Sequence, residues 1–152
     1  MRHAEAAPAN PRDRDFDRTL TPRGYAAAEF IAERAADRTY VPQLILSSTA
    51  RRCRDTAEAF QRIVSALLDI RYLDTLYAAD SDVFMTLINS EEDVDTLMIV
   101  GHNPTIEQTL DRMIGHDSLQ LALPNGFPPG TMAVIDRLDT SSAWQLVDVL
   151  VP

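Results

Sequence analysis

A chain of 152 residues carrying 14 Lys+Arg against 23 Asp+Glu has a formal net charge of −9, and 45% of it is hydrophobic. That length suits one globular domain around one core. A surface so acidic repels phosphate backbones and anionic lipid, which excludes broad electrostatic binding of nucleic acid or membrane and confines any anion to a local basic pocket.

The single cysteine, Cys53, cannot close an internal disulfide and stands in a helical pattern, as a core thiol in a reducing compartment would. No apolar run reaches the ~18 residues of a membrane span, and the charged, proline-bearing amino end does not read as a signal peptide, so a cytoplasmic protein is expected. All 14 basic residues are arginine, and each guanidinium must therefore be justified by its position.

After a polar stretch from Met1 to Arg18, Thr21 as N-cap and Pro22 at the first helical position predict a helix from Pro22 to Asp37. Gln43 to Ser48, a short apolar run after Pro42, predicts a buried strand. From Ala50 onward, Cys53, Ala57, Phe60, Val64 and Leu67 recur at helical spacing and form one apolar stripe. A weaker strand, Ile70 to Leu73, precedes a helix near Asp80 to Asn89 in which Val83, Phe84, Leu87 and Ile88 share a face.

Asp95 to Val100 reads as another buried strand, followed by Gly101-His-Asn-Pro104 and a helix carrying Ile106, Leu110, Met113 and Ile114. The Gly- and Pro-bearing residues 115–129 read as loop. Thr131 to Asp136 and Trp144 to Val149 read as an antiparallel hairpin joined by a polar turn around Asp139 to Ser142. Alternating strands and helices predict one α/β domain over 1–152 with a largely parallel sheet.

Reactive residue types concentrate where strands give way to loops or helices: Arg2-His3-Ala4-Glu5, Ser48 to Arg52, and Gly101 to Pro104. In parallel sheets ligands bind beyond the carboxyl ends of strands, so the three segments could line one crevice. Two histidines and two or three arginines converging there suit a phosphoryl group. Guanidinium forks match its oxygens, helix N-termini near Ala50 and Pro104 add positive potential, and a neutral imidazole can attack phosphorus.

Read singly, Arg51 and Arg54 are a solvated helical face, His116 is a surface residue, and Asp15 and Asp17 are either N-terminal charge or pocket residues. No histidine pair at helical spacing and no cysteine cluster suggests a metal, so none is expected.

RHAEA at the start, Asp17-Arg-Thr-Leu-Thr-Pro-Arg-Gly24, the S-S-x-A-x-R-x-x-x-T-A pattern from Ser47 to Ala57, VGHNP from Val100 to Pro104, and FP-x-G-x-x-AV from Phe127 to Val134 occur in order across nearly the whole chain. Together they resemble the histidine phosphatase superfamily, and within it the small phosphohistidine phosphatases of the SixA type. The resemblance implies a phosphoglycerate mutase-like α/β/α sandwich and a covalent phosphohistidine mechanism without metal or cofactor. It makes His3 the nucleophile, gives Arg2 and Arg52 the phosphoryl oxygens, gives His102 a further contact in the transition state, and brings Arg18 near the phosphate. The implied partner is a phosphorylated histidine-containing protein or a small phosphorylated molecule.

Two features depart from the family's pattern. Its members carry an apolar strand directly before the RH pair, where this sequence has Met1, so the sheet is expected to lack its first central strand and the domain to be truncated at its amino end. Mutase-type relatives also place a glutamate after the third strand, where this chain reads Leu73-Asp-Thr-Leu-Tyr-Ala-Ala-Asp-Ser-Asp82. Without that acid, phosphohistidine is favoured over phosphomonoesters, because a phosphoramidate leaves as a nitrogen that already carries a proton. The alternatives are a phosphatase for small phosphomonoesters and a phosphoryl-binding regulator with little turnover.

Overall fold

A computed structural model describes residues 1–12, 14–91, 93–137 and 143–152. Helix α1 (Pro22–Asp37) starts as its sequence dictates: Thr21 Oγ1 accepts a hydrogen bond from the Gly24 amide at 2.9 Å, with Pro22 in the first turn. Strand β1 (Leu44–Ser48) is buried along its whole length. It lies between β2 (Asp69–Leu73) and β3 (Leu97–Val100) and is parallel to both, which is why it reads as an unbroken apolar run rather than an alternating one.

Helix α2 (Arg51–Val64) connects β1 to β2; α3 (Ser81–Ser90), capped by the Asp80 carboxylate, connects β2 to β3. Helices α4 (Thr105–Ile114) and α5 (His116–Ala122) lead to the antiparallel hairpin of β4 (Met132–Arg137) and β5 (Trp144–Leu150). The expected turn around Asp139 to Ser142 lies outside the described residues.

Alternation along the strands builds three layers. Ile45, Met98 and Val100 face a core with Ile31 and Ala35 of α1 and Cys53 and Phe60 of α2. Leu44 and Leu46 face the opposite core with Phe84 of α3, Leu110 of α4 and Leu119 of α5. The hairpin continues the same plane, with Met132 and Leu150 in the first core and Ala133 and Val149 packed on the second. The chain is thus the α/β/α sandwich expected from the sequence.

Two expectations are corrected. Residues 115–129 are not all loop, because α5 forms within them; Gly115 and Pro124 bracket a seven-residue helix whose one fully buried side chain is Leu119, too little to leave a periodic trace. Leu67 does not extend the stripe of α2, since the helix ends at Val64 and Leu67 is 95% exposed.

Strands β3 and β4 are not paired with each other. Between them lies a cavity of about 800 Å3, lined by Met98 and Ile99 on one side and by Met132 and Val134 on the other. At its mouth Met1, Arg2 and His3 supply a short parallel rung: the Met1 amine donates to the Ile99 carbonyl at 2.7 Å, the Gly101 amide to the Met1 carbonyl at 3.2 Å, and the His3 amide to the Gly101 carbonyl at 3.0 Å. The Arg2 amide donates across to the Thr131 carbonyl at 3.0 Å, so these three residues join the parallel sheet to the hairpin. Among the described residues no strand fills the slot behind them.

Candidate active site

The rung of residues 1–3 sets His3 beside the carboxyl end of β3, and contacts made by the next residues of the chain pin it there. The Ala4 amide donates to Thr56 Oγ1 on α2 at 3.0 Å, and the Thr21 amide donates to the Glu5 carbonyl at 2.9 Å. Gly24 is required at this contact: a Cβ on it would lie 2.1 Å from the Glu5 carbonyl oxygen. Residues 5–7 then pair back on residues 19–21, so that the intervening loop, with Asp15, Phe16 and Arg18, returns over the pocket.

The imidazole of His3 donates from Nδ1 to the Ala4 carbonyl at 2.8 Å; a carbonyl can only accept, so Nδ1 carries the hydrogen and Nε2 keeps its lone pair. Burial first, and then the charges of Arg52, Arg2 and Arg18, lower its pKa to about 4 against the one opposing effect, the Ala4 hydrogen bond. The ring is therefore neutral at physiological pH.

His102, from the turn after β3, stands edge-on to His3 with ring centroids 5.3 Å apart. Its Nε2 lies 3.0 Å from Ser48 Oγ at the end of β1, and burial, with Arg52, brings its pKa down to about 3. All three segments singled out in the sequence thus meet at one end of the sheet.

Of the three arginines on the first turn of α2, only Arg52 faces this pocket. It is buried, and donates from its two terminal nitrogens to the Asp15 carbonyl at 2.8 Å and the Asp15 carboxylate at 3.1 Å. Arg51 and Arg54 lie on the exposed face of the helix, as expected; there Arg51 Nε donates to the buried Asp55 carboxylate at 2.7 Å, and the Arg54 guanidinium lies 4.8 Å over the Tyr72 ring. Arg2 donates to the Phe127 carbonyl at 2.6 Å, while its buried Nε has no partner among the described residues. Arg18 donates from Nε to the Ala7 carbonyl and from Nη1 to the Asp15 carboxylate, both at 2.8 Å. His116 lies away on the surface beside Asp111.

Cys53 is a core thiol, as its place in the helical stripe implies, but its Sγ lies 3.5 Å from His102 Nε2, behind the ring. Burial pushes its pKa up to about 12, so the thiol packs un-ionised.

Two further residues belong to the pocket. Asp15 resolves to a pocket residue rather than free N-terminal charge, and Asp17 pairs outward with Arg14. Tyr77, in a segment whose sequence stands out only for its missing glutamate, donates from its hydroxyl to Asp15 Oδ2 at 3.2 Å and stands edge-on to both Phe16 and His102. A lone Leu-Tyr pair after a strand carries no periodic signal that would mark it. No group of three or more His, Cys, Asp or Glu side chains among the described residues could hold a metal ion.

A neutral imidazole with a free nitrogen, a second imidazole against it and three guanidinium groups around both make an arrangement that can bind and accept a phosphoryl group. Residues 1–81 match the family model of the histidine phosphatase superfamily (branch 1), and the chain belongs to that superfamily as a phosphatase. It is similar to a crystal structure from Agrobacterium tumefaciens provisionally named phosphohistidine phosphatase SixA, at 51% identity and a TM-score of 0.94, over 100% of this chain and 95% of that one. An uncharacterised protein of Mycobacterium leprae is 33% identical over 98% of this chain and 92% of its own length. A chloroplastic protein of Arabidopsis thaliana is 31% identical over 76% of this chain, a match that spans 57% of that longer protein. Among the described residues no helix is long and apolar enough to cross a membrane.

Proposed function

We propose that the protein removes phosphate from a protein phosphohistidine by way of a transient phosphate on His3. The observation that carries this reading is the Nδ1 hydrogen bond to Ala4, which leaves His3 Nε2 as an unprotonated nucleophile among Arg2, Arg18 and Arg52. Nε2 attacks phosphorus, the P–N bond of the substrate breaks, and the substrate imidazole departs with the electron pair, already bearing its ring proton. Water then forms a P–O bond as the P–Nε2 bond breaks, releasing inorganic phosphate and returning His3 to its neutral state.

Arg2, Arg52 and His102 bind the three equatorial oxygens as charge spreads over them, with Arg18 at the rim. The guanidinium charges serve where a metal would otherwise stand.

The choice of phosphoramidate over ester rests on protons. An alkoxide leaving group needs an acid, and the carboxyl that faces the arginines, Asp15, is held below the usual carboxylate range by hydrogen bonding from Arg18, with Arg52 and Tyr77 adding to it. It stays ionised and cannot donate. The lone, reduced cysteine supports a cytoplasmic setting for this reaction.

The test is trapping. Wild-type protein mixed with a phosphohistidine protein should acquire acid-labile, base-stable phosphate, and His3→Ala should acquire none and turn over nothing while keeping its fold. Label persisting in His3→Ala would remove His3 as nucleophile. Faster turnover of an aryl phosphate than of phosphohistidine would assign small esters as substrates, and oxyanion binding without turnover of either would make the protein a phosphoryl-binding regulator.

A further inference from the structure

Asp15 is a charged group of the pocket that phosphoryl transfer through His3 leaves unused, and its contacts are those of a ligand. Arg52, whose side chain is 9% exposed, spends both terminal nitrogens on it, one on the backbone carbonyl and one on the carboxylate. The second carboxylate oxygen takes Arg18 Nη1, and Tyr77 donates to the first. This is the donor fork that would grip two oxygens of a phosphoryl group.

On the other side of the pocket Arg2 Nε is buried and unpartnered, a donor still waiting for an acceptor. Donors on one side of the pocket are thus taken by a carboxylate of its own chain. That carboxylate is free to leave: its side chain is 50% exposed, on a single 3-10 turn spanning Asp15–Asp17.

We propose that Asp15 is a specificity-determining residue that occupies the donors of Arg52 and Arg18 in the empty enzyme and competes with the incoming phosphoryl group for them. It holds both guanidinium groups in place while no substrate is bound, and it raises the threshold for any oxyanion whose sole claim on the site is its charge. A free phosphate or sulfate must displace the carboxylate with nothing further to offer. A phosphorylated protein brings additional surface that compensates for the exchange. The inference rests on the proposed phosphoryl site, and deepens it by naming what that site selects against.

The experiment is calorimetric titration with tungstate of the full chain, with KM for an aryl phosphate measured beside it. Asp15→Asn keeps the size and one acceptor but removes the charge; Asp17→Asn, on the same turn but paired outward with Arg14, makes the same change in net charge away from the fork. Asp15→Asn should bind tungstate roughly three- to tenfold more tightly, as expected for partly exposed ion pairs released together, and KM should fall in parallel. The gain should shrink as sodium chloride is added. Asp17→Asn and the charge-preserving Asp15→Glu should stay within about twofold of wild type.

Unchanged or weaker tungstate binding in Asp15→Asn would overturn the competition, since a merely structural role can only weaken binding when it is lost. An equal gain in Asp17→Asn would overturn it as well, by reducing the effect to net charge. Wild-type protein that binds no tungstate at all would instead overturn the phosphoryl site on which the inference stands.

Discussion

At the scale of single residues, the pocket is a contest between burial and charge, and burial decides the protonation of both histidines. The folded pKa values are about 4 for His3 and about 3 for His102, each below the ordinary 6.5. In the window between those values and 6.5 the unfolded chain binds protons that the folded chain does not, so stability is greatest above 6.5 and is lost as pH falls through that window. Melting temperature is expected to decline steadily from pH 7 to pH 4, and the ring-proton NMR shifts of His3 to stay at neutral-imidazole values down to about pH 5; titration near 6.5 would contradict the geometry.

Arg52→Ala and His102→Ala should each lower the catalytic rate by about 10²-fold or more, as loss of one preorganised donor does elsewhere. Cys53→Ser should leave the pH profile of turnover unchanged, because the thiol stands behind His102 as a packed and un-ionised group. Steady-state rates of the three variants check both statements.

At the scale of elements, His3 is held in place by contacts that local propensity cannot reveal. Thr21, Pro22 and Gly24 read in the sequence as a helix start; folded, they clamp the strand end that bears His3. Gly24→Ala would drive a methyl into the Glu5 carbonyl, and overpacking of that kind costs about 1–3 kcal/mol. The variant should melt several degrees lower and lose turnover by more than its unfolded fraction explains, as thermal denaturation and assay at a temperature well below the transition would show.

The helices and strands with strong periodicity were legible in the sequence, from α1 to the terminal hairpin. So was the meeting of the three segments at one end of the sheet. The short α5 was not, because it is held by α4 and the sheet rather than by its own pattern. Asp15 was legible only as one of two open alternatives, and Tyr77 was not legible at all, because a contact formed across 62 positions of chain has no local spacing to betray it.

At the scale of the whole molecule, the slot between β3 and β4 is the largest departure from a closed sheet. It leaves the facing edges of the two strands unpaired inside the fold.

Extending the amino end by an apolar, β-branched segment of about six residues, the usual strand length, should raise the melting temperature. A Gly-Ser extension of equal length should not. Equal melting curves for the two would mean that the slot does not accept a strand.

The rung made by Met1, Arg2 and His3 also ties motion to chemistry. It is the bridge by which the hairpin is hydrogen-bonded to the parallel sheet, and it is the segment that positions His3, the proposed nucleophile. Any opening of the hairpin must break the hydrogen bond from the Arg2 amide to Thr131 and take away one of the two flanks of His3. A phosphoryl group gripped between Arg2 and Arg52 would then hold the two halves of the sheet together.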